Sequence, residues 1–235
     1  MIKELSKIGS THKTNEDSQY VSDTERYLYL FVSDGCSGGL DSAFASGLFK
    51  KMFKKILIDK KNMGIFLKQP KEEALYIMRE LFEDLRIYRK NLSLEKNELE
   101  ATIGICVIDK YTKNAIVVFS GDGIYAIDHN IVSIDQNNQP KYISQYQDWN
   151  DFKESLTIDL FAYTDQVALS TDGLESFRSN TEKFNLSELF INDRWRNENK
   201  TCLSRKLKML SKGIFPGYEK IINQDDISLI IYQCN

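Results

Sequence analysis

Four aspartates sit where apolar runs begin or end. Asp34 follows Tyr27 to Val32 and Ser33, Asp122 lies between Gly121 and Gly123, Asp172 follows Gln166 to Thr171, and Asp225 precedes Ile227 to Tyr232. Each stands beside glycine or another small or polar residue. Antiparallel neighbours bring the C-terminal end of one strand beside the N-terminal end of the next, so Asp34, Asp172 and Asp225 can converge at one rim. Carboxylates gathered there repel one another unless cations stand between them. With no Cys/His cluster at hand, the ions implied are hard and oxygen-preferring, Mg²⁺ or Mn²⁺. A carboxylate bridging two such ions would hold them roughly 4 Å apart with a hydroxide between them, suited to in-line attack on phosphorus. Against this stands a plainer reading: Asp-Gly is a frequent turn dipeptide, and aspartates at strand ends are common.

A second polar cluster, Ser10 to Ser18, contains His12, Lys13 and the adjacent carboxylates Glu16 and Asp17. Charged residues near a terminus often form an exposed loop and nothing more. His12 is one of two histidines, with His129, and an isolated histidine is more often a surface or packing residue than a functional one.

The surrounding pattern supplies elements to hold these groups. Tyr27 to Asp34 reads as a strand, with Gln19 to Val21 as a short strand before it. From Leu40 the period changes: Phe44, Leu48, Met52, Phe53, Ile56 and Leu57 step as one helix face, and Asp41 or Ser42 can cap it. A second helix opens at Pro70 and carries Ala74, Met78, Leu81, Leu85, Tyr88 and Leu92 toward the core. Glu72 and Glu73 near its start, with Arg86, Arg89 and Lys90 near its end, complement its dipole. Ala101 to Ile108, Ala115 to Ser120, Ile124 to Ile127 and Ile131 to Ile134 read as an antiparallel meander. Residues 135 to 156 read as a polar, irregular loop. Leu156 to Tyr163 and Gln166 to Ser170 read as a hairpin, Asn185 to Phe190 and Thr201 to Lys212 as helices, the latter closed by Gly213.

At 235 residues and 42% hydrophobic content the chain suits one domain spanning 1–235. A net charge of −3 argues against a nucleic-acid partner. No apolar run is long enough to span a bilayer, and the first residues lack a signal-peptide core, so no membrane partner is expected. Cys36, Cys106, Cys202 and Cys234 are scattered and form no CxxC pair. They fit reduced thiols in a cytoplasmic protein.

The order of the motifs carries more than any one of them. Asn15-Glu16-Asp17, Val32-Ser33-Asp34-Gly35 with Gly38-Gly39 and Ala45-Ser46, Ala101-Thr102, Gly121-Asp122-Gly123-Ile124-Tyr125, Leu169 to Leu174, and Asp225-Asp226-Ile227-Ser228 follow one another from about residue 9 to the end. In this the chain resembles the type 2C (PPM) family of metal-dependent protein phosphatases. The resemblance implies an α+β fold, a four-layer αββα sandwich of two antiparallel sheets flanked by helices. It implies two Mn²⁺ or Mg²⁺ ions at one end, with Asp34 as the bridging ligand and the Gly35 carbonyl on one ion. Asp172 and Asp225 would complete the coordination of the second ion, Glu16 and Asp17 would bind directly or through water, and Asp122 could serve a weaker third ion. The substrate implied is a phosphoserine or phosphothreonine protein, and the partner suggested is a cognate Ser/Thr kinase or its targets.

Departures from the family pattern concern the substrate more than the metals. Most members carry Arg three residues before the Asn of the first motif; here the position is His12, as in a shorter bacterial branch that the Asn138 to Tyr142 segment also fits. His12 could donate to the phosphate, best when protonated, or protonate the leaving alkoxide; Lys13 competes for the phosphate role. Gly123-Ile124 replaces a Ser-Arg pair, Asp226 replaces Asn, and the flap expected after the third motif shrinks to residues 135 to 156. Two alternatives accompany this reading: a non-catalytic module of the same fold that senses or binds a partner, and a structural Ca²⁺-binding domain, which the spread of ligands along the chain disfavours.

Overall fold

The apolar runs form strands that sort into two five-stranded antiparallel sheets in a computed structural model describing residues 1–65, 67–137, 139–179, 182–191 and 202–234. The first sheet has the order β2 (Asp17–Asp23), β3 (Tyr27–Asp34), β4 (Ile103–Asp109), β5 (Asn114–Ser120), β8 (Thr157–Ala162). The second has the order β1 (Ile2–Lys7), β13 (Ile227–Gln233), β9 (Gln166–Ser170), β6 (Gly123–Ile127), β7 (Asn130–Ile134). Helices α1 (Ser42–Asn62) and α2 (Pro70–Asn91) cover the first sheet, and α4 (Ser187–Ile191) and α5 (Cys202–Lys212) cover the second. The architecture is the expected four-layer αββα sandwich. Among the described residues no helix is long and apolar enough to cross a membrane.

The period of two along β3 explains how one strand serves two layers. Leu28, Leu30 and Val32 point between the sheets, where they meet Val117, Phe119, Leu169 and Ile230. Tyr27, Tyr29 and Phe31 point outward to Phe49, Phe53, Ile77 and Leu81 of α1 and α2. Phe31 and Phe53 hold their ring centroids 4.8 Å apart. A strand buried on both faces reads as a continuous apolar run, which is what Tyr27 to Val32 is.

The two long helices begin as their sequences direct. Asp41 caps α1 by accepting from the Phe44 amide at 2.9 Å, and Pro70 occupies the first turn of α2. Glu73, however, does more than complement a dipole. It is fully buried, 2.5 Å from Lys60 Nζ, and accepts from the Tyr29 hydroxyl at 2.5 Å. The pair joins both helices to β3.

Several connections differ from the sequence expectation. β8 and β9 are not a hairpin: β8 pairs with β5 and β9 pairs with β6 and β13, so the chain passes from one sheet to the other between them. The meander also breaks at Gly121-Asp122, because β5 and β6 lie in different sheets. Short turns look alike whether they reverse a strand within a sheet or carry it across. Residues 135 to 156 are not wholly irregular, since α3 (Trp149–Ser155) starts on an Asp148 cap and packs Phe152 on Phe82. The polar N-terminal stretch hides the edge strand β1, whose burial rests mainly on Lys3 and Leu5. A small sheet of β10 (Phe177–Arg178), β11 (Lys183–Phe184) and β12 (Ile222–Asn223) was not expected. Thr201 and Asn138, at the starts of two expected segments, lie outside the described residues.

Removing one partner of a buried ion pair strands the other charge. Glu73→Ala should therefore destabilise the protein by about 3–5 kcal/mol, read by chemical denaturation, whereas the double change Lys60→Met with Glu73→Leu should lose much less. Equal losses in both would show that packing, not charge, makes the difference.

Candidate active site

Strand β3 delivers Asp34 to the rim, and the residue after it must be glycine. A Cβ on Gly35 would lie 2.0 Å from the Ser42 carbonyl oxygen, where α1 begins. The turn is stitched to the chain before β4: the Thr102 amide donates to the Asp34 carbonyl at 2.8 Å, Thr102 Oγ1 accepts from the Asp34 amide at 3.1 Å, and the Cys36 amide donates to the Glu100 carbonyl at 2.9 Å. The second Asp-Gly pair obeys the same constraint. A Cβ on Gly173 would lie 1.7 Å from the Asp226 carbonyl oxygen. Both glycines allow a close approach of backbones that fixes the aspartate before them.

The register of β2 on β3 sets Asp17 directly opposite Asp34. Thr171, at the end of β9, donates its hydroxyl to Asp17 Oδ2 at 2.7 Å and accepts from the Ser228 amide at 3.0 Å. One threonine thus ties the first sheet to the second at the rim.

A cleft of about 270 Å³ opens there. His12, Glu16, Asp34, Gly35, Asp122, Asp172 and Asp225 line it, together with Thr102 and Tyr142. Asp17 lies behind, buried against Asp34. Lys13 is exposed and stands outside the lining. An adjoining hollow of about 250 Å³ shares Asp122, Asp172 and Asp225 and adds Arg178 and Lys183.

Burial and mutual repulsion dominate the electrostatics. Burial pushes Asp17 up to about 7, with the charges of Asp226 and Asp172 adding to it while the hydrogen bonds from Thr171 and Asp34 oppose it. Burial and the Asp17 charge hold Asp34 well above the usual carboxylate range. Burial and Asp225 raise Asp172 to about 6. Burial also raises Asp122, although its Oδ1 accepts from the Gln136 amide at 2.7 Å.

Among the described residues no group of three or more His, Cys, Asp or Glu side chains is arranged to hold a metal ion as it stands. The donor chemistry nevertheless fits hard cations. The lining is oxygen-rich, its carboxylates resist ionising together, and the buried Asp17 Oδ1 and Glu16 Oε2 have no hydrogen-bond partner. Asp34, Asp122, Asp172, Asp225, Glu16 and the Gly35 carbonyl are the groups placed to contribute.

His12 is pinned among acids. Its Nδ1 is 3.1 Å from Asp226 Oδ2 and 4.0 Å from Glu16 Oε2, and its Nε2 is 3.6 Å from Asp225 Oδ1. Burial pulls its pKa down, but the hydrogen bond to Asp226 and the three negative charges prevail and raise it. Asp226 is the residue whose role the sequence concealed. It is buried, accepts from the Gly9 amide at 2.6 Å and from the Glu16 amide, and so anchors the 9–16 loop; it does not line the cleft. Its partners lie more than 200 residues away in sequence, so no local pattern announces them. Thr171 was visible only as part of a motif, and Tyr142 as part of the segment before α3.

The family model for protein phosphatase 2C matches residues 9–211. The chain belongs to the protein phosphatase 2C family. Among solved structures, a bacterial serine phosphatase is similar at 13% identity, covering 100% of this chain and 97% of its own, with a TM-score of 0.67. The serine/threonine phosphatase Stp1 from Staphylococcus aureus is similar at 13% identity over 100% and 94%, TM-score 0.60. RsbX in complex with magnesium is similar at 16% identity over 99% and 94%, TM-score 0.57. At these identities the likeness speaks for the protein phosphatase 2C fold. No curated protein matches the sequence significantly.

The raised carboxylates fix the sign of a pH effect. An unfolded aspartate releases its proton near pH 4, whereas folded Asp172 and Asp17 hold theirs to about 6 and about 7. Between those limits the folded state binds more protons, so stability without metal falls as pH rises. Adding Mn²⁺ should raise the melting temperature more at pH 7.5 than at pH 5, and Asp17→Asn should flatten the metal-free profile across that window. Equal metal-induced shifts at both values would contradict this electrostatic account.

Proposed function

We propose that this member of the protein phosphatase 2C family is a metal-dependent phosphoprotein phosphatase that hydrolyses phosphoserine and phosphothreonine. The observation that carries the reading is the convergence of Asp34, Asp122, Asp172, Asp225 and Glu16 on one cleft, from segments spread over most of the chain. Mn²⁺ or Mg²⁺, two ions with a third at Asp122, would supply an activated water for in-line attack at phosphorus.

The chain's own residues do the rest. Asp34 and the Gly35 carbonyl sit on a backbone fixed by Thr102 and by the start of α1, so their positions do not depend on flexible side chains. Asp17 supports Asp34 from behind, and Thr171 holds Asp17 in place. His12, whose charged form its acidic neighbours favour, faces the same cleft and is suited to hydrogen-bond a phosphate oxygen or to give a proton to the leaving alkoxide. The 135–156 segment contributes Tyr142 and Pro140 to the mouth and is the natural place for substrate preference to be set. A phosphoprotein is the expected partner, with a cognate Ser/Thr kinase or its targets as the candidates.

The test is hydrolysis of a chromogenic aryl phosphate and of a phosphothreonine peptide with Mn²⁺ against chelator. Asp34→Asn and Asp172→Asn should each reduce kcat at least about 100-fold; full activity in either would remove that residue from the site. No turnover with any metal would favour the non-catalytic module of the same fold.

His12→Ala should lower turnover while leaving the bound-metal content unchanged, as measured by elemental analysis. Because the His12 pKa is raised, its cation persists above the ordinary histidine range and is lost as pH climbs further. Wild-type activity should therefore fall on the alkaline side, and the variant should lack that limb. Loss of metal in the variant would make His12 structural.

A further inference from the structure

A larger cavity, of about 760 Å³, opens at the other end of β2 and β3. It lies where the turn between these strands meets the C-terminal half of α1 and the chain near Lys68. Tyr27 is seven residues from Asp34 along β3, about 23 Å at strand rise, so this cavity is separate from the carboxylate cleft. Its volume falls within the roughly 300–1,000 Å³ of small-molecule sites.

The inner wall is aromatic and apolar. Tyr27 and Tyr29 are buried in it, with Tyr20 and Leu57 half-buried beside them. The wall is fixed by hydrogen bonds: the Tyr27 hydroxyl donates to the Leu67 carbonyl at 2.9 Å, and Arg26 donates to the Lys68 carbonyl at 2.6 Å.

The mouth is cationic once its ion pairs are accounted for. Asp23 is engaged by Lys110 at 2.8 Å, whereas Glu25, which accepts from the Tyr111 hydroxyl at 3.1 Å, keeps its negative charge against Lys54, Lys61 and Lys68. Arg26 pairs with Asp109 at 2.8 Å and Lys60 with Glu73 at 2.5 Å. Lys54, Lys61 and Lys68 line the same cavity, are exposed, and pair with no carboxylate among the described residues. Three free ammonium groups around an aromatic pocket favour a negative head on an apolar body.

We propose that this cavity binds a small amphipathic anion, a carboxylate, sulfonate or phosphate carried on an aromatic or aliphatic body. The site is independent of the carboxylate cleft and of whatever reaction occurs there.

Fluorescence titration of the full chain with the anionic aromatic probe 8-anilinonaphthalene-1-sulfonate tests it, beside the neutral probe N-phenyl-1-naphthylamine. Saturable binding of the anionic probe at one site is expected. Combined Lys54→Glu, Lys61→Glu and Lys68→Glu should weaken it at least about tenfold while leaving the neutral probe unchanged. Ile58→Trp, at an exposed lining position, should fill the space and weaken both probes. Melting temperatures check that the variants fold, and single lysine reversals carry the test where the triple variant does not. A non-saturable signal, or unchanged binding of the anionic probe in both kinds of variant, overturns the site. Equal weakening of both probes by the lysine reversals overturns its anionic preference.

Discussion

At the rim the two sheets are tied directly by a hydrogen bond from the Thr171 hydroxyl to Asp17. Asp17 belongs to the first sheet and Thr171 follows β9 of the second. Without that bond Asp17 and Asp34 would face the second sheet's Asp172 and Asp225 with repulsion alone. With it, Asp34 is backed by a carboxyl whose own position is fixed. The ions that the raised carboxylates call for would then enter a frame already assembled by neutral groups. This is a reasonable division of labour, since hydrogen bonds from hydroxyls and amides hold geometry while the charge remains to be balanced.

A second anchor works at longer range. Asp226 holds the 9–16 loop through the Gly9 and Glu16 amides and fixes His12 at 3.1 Å. Two parts of the cleft wall, His12 and Glu16, therefore depend on one buried side chain just before β13. An asparagine here would accept fewer of these bonds and could not hold His12 as a cation. The acidic residue thus suits the histidine: each accounts for the other, and the extra negative charge is consumed inside the loop instead of facing a phosphate.

How much of this was legible follows from the range of the interactions. β3, α1, α2 and the Asp-Gly turns were readable because their signals are local: a continuous apolar run, a helical period, a cap, a proline. The convergence of Asp34, Asp122, Asp172 and Asp225 was readable from their positions at strand ends together with the order of motifs. The sheet to which β8 and β9 belong was not, because a short turn has the same composition whether it reverses within a sheet or crosses to the other. β1 was hidden because an edge strand can bury a lysine stem and one leucine and still look polar. Asp226 and Thr171 were opaque in role because their partners are distant in sequence, and the Glu73–Lys60 pair because a glutamate in the first turn of a helix already has an ordinary explanation.

Strand β3 carries two opposite treatments of buried charge. Near its start Tyr29 donates to Glu73, which is matched by Lys60, so that buried carboxylate is neutralised. At its finish Asp34 faces Asp17 with no ion pair to either among the described residues, and both are driven toward the protonated form. The protein had a lysine available to neutralise a buried carboxylate and uses it at the end away from the cleft. Stability alone would favour the same solution at both ends, because an unbalanced buried carboxylate weakens the folded state at neutral pH. That Asp34 and Asp17 are left without such a partner, on a backbone made rigid by Gly35 and Thr102, is the physical reason to regard this end of the strand as shaped for a cation and its chemistry.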